Sequence, residues 1–167
     1  MSIVEIHHSE GSDALTTRLR AVLRDHEVAS LDIRWGDRRS GPGARRTGRV
    51  EIGRLEIDPA ARERGILGRL FDRLAALGRE RGIRHVDVVV HHAAIDACTA
   101  IGFRATGEAF WEGVRRYVPM SLDLTTWSSI RGRPDVAMAI TRLGGLGAVL
   151  APLAGVSGPP DELAASV

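Results

Sequence analysis

The sequence predicts an α/β domain built on a mixed sheet, in which strands alternate with helices along the chain. Residues 49–58 and 85–90 read as strands, short and rich in apolar residues. Residues 60–81, which lie between them, have the apolar spacing of an amphipathic helix. With 167 residues the chain is long enough to bury a sizeable core. Together these observations favour one packed domain of the α/β class.

The first third of the chain predicts two strands with a helix between them. Residues 3–7 alternate between apolar and polar side chains, and residues 28–35 read as a second strand. Between these strands, Ser12 or Asp13 is placed to cap a helix. The apolar face of that helix would consist of Leu15, Leu19, Val22 and Leu23.

The middle of the chain continues with strands and helices in alternation. Pro59 ends the strand of residues 49–58, and Gly82 ends the helix of residues 60–81. This helix carries its apolar stripe on Leu67, Leu70, Phe71, Leu74 and Leu77. After the strand of residues 85–90, a short helix over residues 93–101 stops at Gly102. Residues 103–108 and 117–124 then predict a final strand pair.

Composition limits the classes of function. All 23 basic residues are arginine, so no lysine is present to form a Schiff base, and the formal charge of +2 indicates no general affinity for nucleic acid. Cys98 is the single cysteine, which excludes an internal disulfide and favours a cytoplasmic setting. Residues 38–49 contain five arginines and predict a mobile loop, with a phosphate or nucleic-acid contact as the alternative.

The last segment, residues 125–167, differs from the domain formed by residues 1–124. Residues 136–156 are largely apolar, but Arg142, Pro152 and the run Gly144, Gly145 and Gly147 interrupt them, so we expect no membrane span. A docked helix followed by a flexible tail fits this composition. Two alternatives are that the segment covers a hydrophobic ligand or pairs with a second copy in a homodimer.

The turn that opens the long helix predicts a phosphate-binding site. The first N–H groups of a helix have no backbone partner, and the peptide dipoles give that end a partial positive charge. Gly65 and Gly68 allow close approach of a ligand to these amides. Arg62, Arg64 and Arg69 add charge at the same end. The alternative is an ordinary strand-to-helix turn with solvated arginines.

The succession Leu55, Ile57, Pro59, Arg62 and Gly65 resembles the acyl-carrier-binding motif of the GNAT superfamily of N-acyltransferases. The sequence Ile-Gly-Phe at residues 101–103 is similar to the Leu-Gly-Phe that closes the same core. The resemblance implies a mostly antiparallel sheet flanked by helices, with acetyl-CoA or another acyl-CoA as co-substrate. The backbone of residues 55–57 would then contact pantetheine. The pyrophosphate would lie on the amides of Arg64, Gly65, Ile66, Leu67, Gly68 and Arg69.

A narrower resemblance concerns residues 51–58, E-I-G-R-L-E-I-D. They are similar to a strand of acyl-homoserine-lactone synthases and of the related N-acyl amino acid synthases, which take fatty acyl groups from acyl carrier protein. Residues 90–103 are similar to a segment of the latter group. This resemblance implies that Glu51 and Arg54 are catalytic or position a small-molecule amine, and that His91 is a candidate base.

Acyl transfer needs a proton acceptor and donors for the oxyanion. Glu51, Glu56, His91 and His92 are the candidate acceptors, and an offset of five residues predicts opposite strand faces for the two glutamates. Two positions depart from the GNAT pattern: Leu67 replaces a small residue, and Cys98 replaces a tyrosine that acts as general acid. Either Cys98 is a small buried residue, or its thiol is a weaker acid. No spacing of histidines and carboxylates predicts a metal site.

The first of the following three functions is therefore our interpretation, and the other two are its alternatives. The first is an N-acyltransferase that moves an acyl group from coenzyme A or acyl carrier protein to an amine. The second is a GNAT-like binding module without catalysis, which the departures at Leu67 and Cys98 would fit. The third is an acetyltransferase toxin that acts on charged tRNA, for which the arginine-rich loop is the support.

Overall fold

The amino-terminal strands of the computed structural model form an antiparallel meander, and the helices follow it. The structure describes residues 4–11, 15–35, 49–62 and 65–146 and the backbone of residues 150–151. These residues form nine strands: β1 (Val4–Glu10), β2 (Thr16–Leu23), β3 (His26–Trp35), β4 (Arg49–Ile57), β5 (His85–His91), β6 (Arg104–Ala105), β7 (Phe110–Glu112), β8 (Arg115–Asp123) and β9 (Leu150–Ala151). Their α-helices are α1 (Ile66–Glu80), α2 (Ile95–Ile101), α3 (Leu124–Ile130) and α4 (Pro134–Gly145).

The strands make one mixed and mostly antiparallel sheet, flanked by helices. Its order is β1-β2-β3-β4-β5-β8-β6, with β7 paired to β8 and β9 paired to β5. The single parallel pairing among the described strands joins β4 to β5, because α1 is the crossover between them. The predicted fold class, a mixed and mostly antiparallel sheet flanked by helices, is therefore confirmed.

One hydrophobic core joins the sheet to the helices. β5 contributes Val86, Val88 and Val90 to this core, and α1 contributes its buried stripe, which includes Leu70, Phe71 and Leu74. The ring centroids of Phe71 and Trp127 on α3 lie 5.6 Å apart in an edge-on arrangement. Residues beyond 124 thus pack against the same core as the sheet.

The helix predicted after Ser12 and Asp13 is wrong, because residues 16–23 form strand β2. Thr17, Leu19 and Ala21 are buried, and they alternate with outward-facing neighbours. The sequence of this stretch is compatible with this alternation, which is typical of a strand, and equally with the helical spacing of its leucines. Pairing with β1 and β3 decides between the two periods. Residues 12–14 lie outside the described part of the chain.

The other elements lie close to their predicted places. The long helix starts at Ile66, later than predicted, because Pro59–Ala61 forms a separate 3-10 turn that the Asp58 side chain caps. β6 is shorter than the predicted strand over residues 103–108, and β7 forms a hairpin with β8. No helix in the described ranges has both the length and the apolar character needed to cross a membrane. Residues 38–48 of the arginine-rich loop and the residues after 151 lie outside those ranges, and Arg49 begins β4.

Candidate functional site

Strands β4 and β5 diverge after a short stretch of parallel pairing. Their register runs from Arg49 opposite His85 to Glu51 opposite Asp87. β4 then continues to Ile57 and β5 to His91, with no further pairing between these two described strands. The result is a wedge that is closed at Glu51 and open toward the carboxyl ends of both strands.

An ion pair closes the narrow end of the wedge. Arg49 donates to both carboxylate oxygens of Asp87, from Nε and Nη2 at 2.6 Å each, and Nη2 lies 3.3 Å from the Ser121 hydroxyl. This bidentate bond raises the pKa of Arg49. A cavity of about 230 Å³ lies beside the pair, and Glu51 and Met120 are among its lining residues. The structure therefore puts two carboxylates, Glu51 and Asp87, at one small cavity.

Glu51 and Glu56 lie on the same side of β4, contrary to the expectation of opposite faces. Ile52 and Leu55 are both buried, although they are three positions apart and regular alternation would put them on opposite faces. The pairing with β3 is irregular between these two positions, which shifts the alternation by one residue. Glu51 is half-buried, whereas Glu56 is exposed and forms an ion pair with Arg54. Of the three predicted polar residues on β4, Glu51 is the one that lines the cavity beside Asp87.

The turn before α1 has the backbone shape that a ligand site at a helix start needs. Gly65 is the N-cap of α1 with φ +67°, in the left-handed region that glycine tolerates. Apart from its chain neighbours, no described residue has an atom within 4 Å of the position that a Cβ would take there, so these residues leave the approach to the first amides of α1 open. The amide groups of this first turn are oriented as a phosphate site requires.

The arginines of this turn do not converge on one point. Arg62 donates from Nη1 to the Gly145 carbonyl oxygen at 3.5 Å, and Arg69 donates from Nη1 to the Val4 carbonyl oxygen at 3.2 Å. Arg64 lies outside the described residues. Arg62 and Arg69 therefore flank the start of α1 from different sides.

The remaining residues assigned to the carrier by resemblance are mostly buried. Leu55, Ile66 and Leu67 belong to the hydrophobic core, and Ile57 is half-buried against it. Leu67 thus acts here as a packing residue, with its side chain turned into the core. Gly68 faces α4, because a Cβ at this position would lie 3.7 Å from Ile140.

His91 ends β5 and caps the turn that follows it. Its Nδ1 accepts a hydrogen bond from the Ala93 N–H at 3.3 Å, and its ring centroid is 4.3 Å from that of His92 and 5.5 Å from that of Tyr117. Burial lowers the pKa of His91, and the charges of His92 and Arg115 lower it further. The imidazole is therefore neutral at neutral pH, with Nε2 as the nitrogen that bears the proton.

Cys98 lies in the core on α2 and is 1% exposed. Burial raises the pKa of its thiol to about 12. The side chain is therefore a neutral thiol throughout the physiological range, which excludes a thiolate nucleophile at this position.

Asp87 is the site residue that sequence reasoning missed. Its strand was predicted, but the parallel register that places it beside Glu51 joins residues far apart in the chain. A charged residue within an otherwise apolar strand was the available signal. Among the described residues, no group of three histidine, cysteine or acidic side chains is arranged to hold a metal ion.

Comparison with known proteins gives matches in structure but none in sequence. No protein-family model and no curated protein matches this chain. FeeM, an N-acyl amino acid synthase from uncultured soil microbes, has a TM-score of 0.59 and 11% identity, over 78% of this chain and 94% of that one. An acyl-CoA N-acyltransferase from Pseudomonas aeruginosa has a TM-score of 0.53 and 25% identity, over 64% of this chain and 68% of that one.

A GNAT family acetyltransferase from Elizabethkingia anophelis with acetyl-CoA bound is also similar in structure. Its TM-score is 0.53 and its identity 11%, over 72% of this chain and 97% of that one. These structural neighbours are acetyl- and acyltransferases. The resemblance to the GNAT superfamily is therefore confirmed at the level of the fold.

Proposed function

We propose that this chain, which has the GNAT fold, is an N-acyltransferase that moves an acyl group from a thioester carrier to an amine. The observation that carries the proposal is the wedge between β4 and β5, which opens beside the glycine-capped start of α1. In the GNAT pattern a wedge of this kind takes the pantetheine arm, and the adjacent turn takes the pyrophosphate. The donor is coenzyme A or acyl carrier protein, both of which carry a phosphate-linked pantetheine.

The donor half of the site uses backbone groups more than side chains. The amides of the first turn of α1 are available to phosphate oxygens because helix-start N–H groups have no partner within the helix. Gly65 leaves open space in front of them. Arg62, half-buried beside this turn, supplies positive charge within reach of a diphosphate.

The acceptor half is the cavity at the closed end of the wedge. Glu51 lines it, and Asp87 is held by Arg49 in a bidentate bond. Arg49 and Asp87 balance each other's charge, and Glu51 adds a carboxylate to the same lining, so a protonated amine is the acceptor that suits this cavity. A second cavity of about 460 Å³ lies on the same side of β4, with Gly53, Arg18 and Asp32 in its lining. It gives room for the rest of a small-molecule amine.

The reaction is a direct attack in a ternary complex. Glu51 takes a proton from the ammonium group, and the free amine nitrogen attacks the thioester carbonyl carbon. The C–N bond forms and the C–S bond breaks; the proton that the attacking nitrogen loses on becoming an amide passes to the departing sulfur, so the carrier leaves as a thiol. Backbone N–H groups at the wedge steady the oxyanion. Cys98 is buried in the core on α2, so its thiol is not placed to supply this proton.

A catalytically inactive binding module is the second candidate. The observation that favours it is the contact between Arg62 and the Gly145 carbonyl. This contact puts the end of α4 against the turn before α1, which we call the phosphate turn. The burial of Cys98 also favours a binding module, because a buried thiol stands here in place of the tyrosine that acts as general acid in the GNAT pattern. For the charged-tRNA alternative, most of the arginine-rich loop lies outside the described residues.

Our proposal includes three further expectations. We place the protein in the cytoplasm, because its single cysteine gives no disulfide to stabilise it elsewhere. Acyl carrier protein is the macromolecular partner that we expect if the donor is a fatty acyl group. We also keep the proposal that the apolar residues near the C-terminus pair with a second copy of the chain in a homodimer.

The test is acyl transfer measured by thiol release. Acetyl-CoA, a long-chain acyl-CoA and an acylated acyl carrier protein are each incubated with the protein and a panel of amines. We expect amine-dependent thiol release with one class of donor, and mass spectrometry should find the acylated amine. If the protein binds a donor but releases no thiol with any amine, it is the binding module. If it binds none of the donors, the proposed site is wrong.

A further inference from the structure

The short strand β9 pairs with β5 on the edge that faces β4. Leu150 lies opposite Val90, and Ala151 lies opposite Val89, in an antiparallel register. β8 pairs with β5 along its whole length, from His85 to His91. Because a strand has two hydrogen-bonding edges, β9 can only use the edge on which β4 lies.

That edge is the inner side of the wedge. The pairing of β4 with β5 ends at Glu51 and Asp87, so Val89 and Val90 come after the point of divergence. β9 also lies against β4. An unpaired strand edge presents a row of N–H and C=O groups, and β9 satisfies some of those of β5. Val89, the partner of Ala151, is fully buried but does not belong to the main core.

The end of α4 covers the other part of the donor site. Arg62 donates to the Gly145 carbonyl oxygen at 3.5 Å. A Cβ on Gly144 would lie 3.4 Å from the Arg62 carbonyl oxygen and 3.9 Å from the Leu67 Cβ, so the helix end and the phosphate turn are in close contact. The end of α4 therefore lies at the phosphate turn, and β9 lies in the wedge.

We propose that the space between β4 and β5 is a binding site for an extended, amide-bearing chain, which this protein fills with its own β9. The pantetheine arm of an acyl carrier then competes with β9 for this site. The inference rests on the proposed function and adds a way in which binding of the donor at that site is regulated. Both occupants are extended chains with amide groups, and both can bond to the strand edges that the divergence leaves open.

This competition sets the apparent affinity for the donor. A ligand that binds only the open form has a dissociation constant raised by the reciprocal of the open fraction. A partner or substrate that draws β9 out of the wedge would therefore activate the enzyme. The thermodynamic coupling is reciprocal, so a bound donor must also loosen β9.

A reversible cross-link tests the competition in the full chain. Residues 89 and 151 are register partners, and such partners have Cα atoms about 4.5–5.5 Å apart, within disulfide range. The V89C/A151C variant should therefore form a disulfide on oxidation, which holds β9 in place. Cys98 is buried and does not interfere. The probes are thioether analogues of acetyl-CoA and of acylated acyl carrier protein, which have no thiol to reduce the bond.

We expect the oxidised variant to bind at least one probe about tenfold or more weakly than the same protein after reduction by a phosphine. Equal affinity in the two states would overturn the inference and leave the proposed function intact. Failure of the two cysteines to cross-link would overturn the placement of β9. If the reduced variant and the wild type both fail to bind either probe, the proposed function falls together with the inference.

A second pair of variants avoids cysteine chemistry. Proline at both strand positions, in L150P/A151P, removes the N–H donors of β9 and should increase the affinity for the probe above that of the wild type. A151V keeps the backbone donors and a residue that favours strands, so it should bind like the wild type. Equal affinity of L150P/A151P and A151V would overturn the inference.

Discussion

Glu51 is the side chain whose surroundings best suit removal of a proton from an amine. It is half-buried at the small cavity and lies in register with Asp87. Arg54 and Glu56 pair with each other in solvent, where an ion pair contributes little. Neither side chain lines the cavity beside Asp87, so Glu51 suits proton transfer better than either of them.

Replacing Glu51 by glutamine should lower kcat by about 10²-fold to 10⁴-fold, because the variant keeps the shape of the side chain but loses the proton acceptor. Steady-state thiol release on a confirmed amine measures this. E80Q, a change of the same kind at the exposed end of α1, should leave kcat unaltered. Unchanged turnover in E51Q would remove Glu51 from the mechanism and leave His91 as the base.

His91 should make stability depend on pH in a defined direction. Its pKa is lowered in the folded protein from an ordinary value of 6.5, mainly by burial, so the unfolded chain binds more protons as the pH falls through that value. The wild type should therefore lose more unfolding free energy than H91Q between pH 7.5 and pH 5.5. Denaturant unfolding at the two pH values measures this difference. An identical loss in both proteins would contradict the assigned pKa shift.

Cys98 should be unreactive in the native protein. Its thiol is 1% exposed and has a pKa of about 12, so neither access nor thiolate is available. An aromatic disulfide reagent at pH 8 should label it only at the rate of unfolding, and rapidly in denaturant. Fast labelling of the native protein would show that Cys98 faces the site and would restore it as a candidate acid.

At the scale of elements, Gly65 connects local conformation to carrier binding. G65V should impose about 1–2 kcal/mol of strain, because valine must adopt φ +67° there, and should also put a side chain before the phosphate amides. G82V is the matched control, since Gly82 has φ +68°, an open Cβ position and a place just beyond the other end of α1. Calorimetric titration should show weaker donor binding for G65V alone. Equal affinity in both variants would mean that this turn does not hold the phosphates.

Local signals allowed some elements to be predicted and not others. Pro59, Gly82 and Gly102 mark boundaries that depend on backbone geometry, so the C-terminal ends of β4, α1 and α2 were predicted close to their observed limits. β2 was mistaken for a helix because Leu15, Leu19, Val22 and Leu23 have helical spacing. The burial of every second residue in β2 depends on pairing with β1 and β3, and no local sequence pattern indicates that pairing.

The same limit applies to the site. Glu51 and the Gly65 turn were predicted because they belong to one continuous stretch of sequence. The irregularity opposite Leu31 and Ile33 on β3, which brings Glu51 and Glu56 to one side, has no signature in β4 itself. Asp87 and β9 are placed by pairing between distant segments, which a single sequence does not specify.

At the scale of the whole molecule, the segment after residue 124 is part of the packing. Trp127 on α3 is 3% exposed, contacts Phe71 and donates from Nε1 to Asp72 at 3.0 Å. Val136, Ala139 and Leu143 on α4 join the same core. The division into a domain of residues 1–124 and an extension of residues 125–167 stays a prediction. Among the described residues, the extension has no core separate from that of the domain.

Replacing Trp127 by alanine should destabilise the protein by about 3–5 kcal/mol, the usual cost of removing a large buried aromatic side chain. The neighbouring exposed Thr126→Ala change should cost far less. Denaturant unfolding of both variants gives the comparison. Equal stabilities would show that α3 and α4 lie on the domain without supporting it.

The central claim is that the wedge between β4 and β5 and the first turn of α1 together hold the acyl carrier. Hydrogen exchange with and without a saturating thioether analogue of the donor tests it most directly. We predict stronger protection in β4 beyond Glu51 and at residues 66–68, and weaker protection in β9. Binding of the analogue with no change in exchange at β4 and the start of α1 would contradict the account.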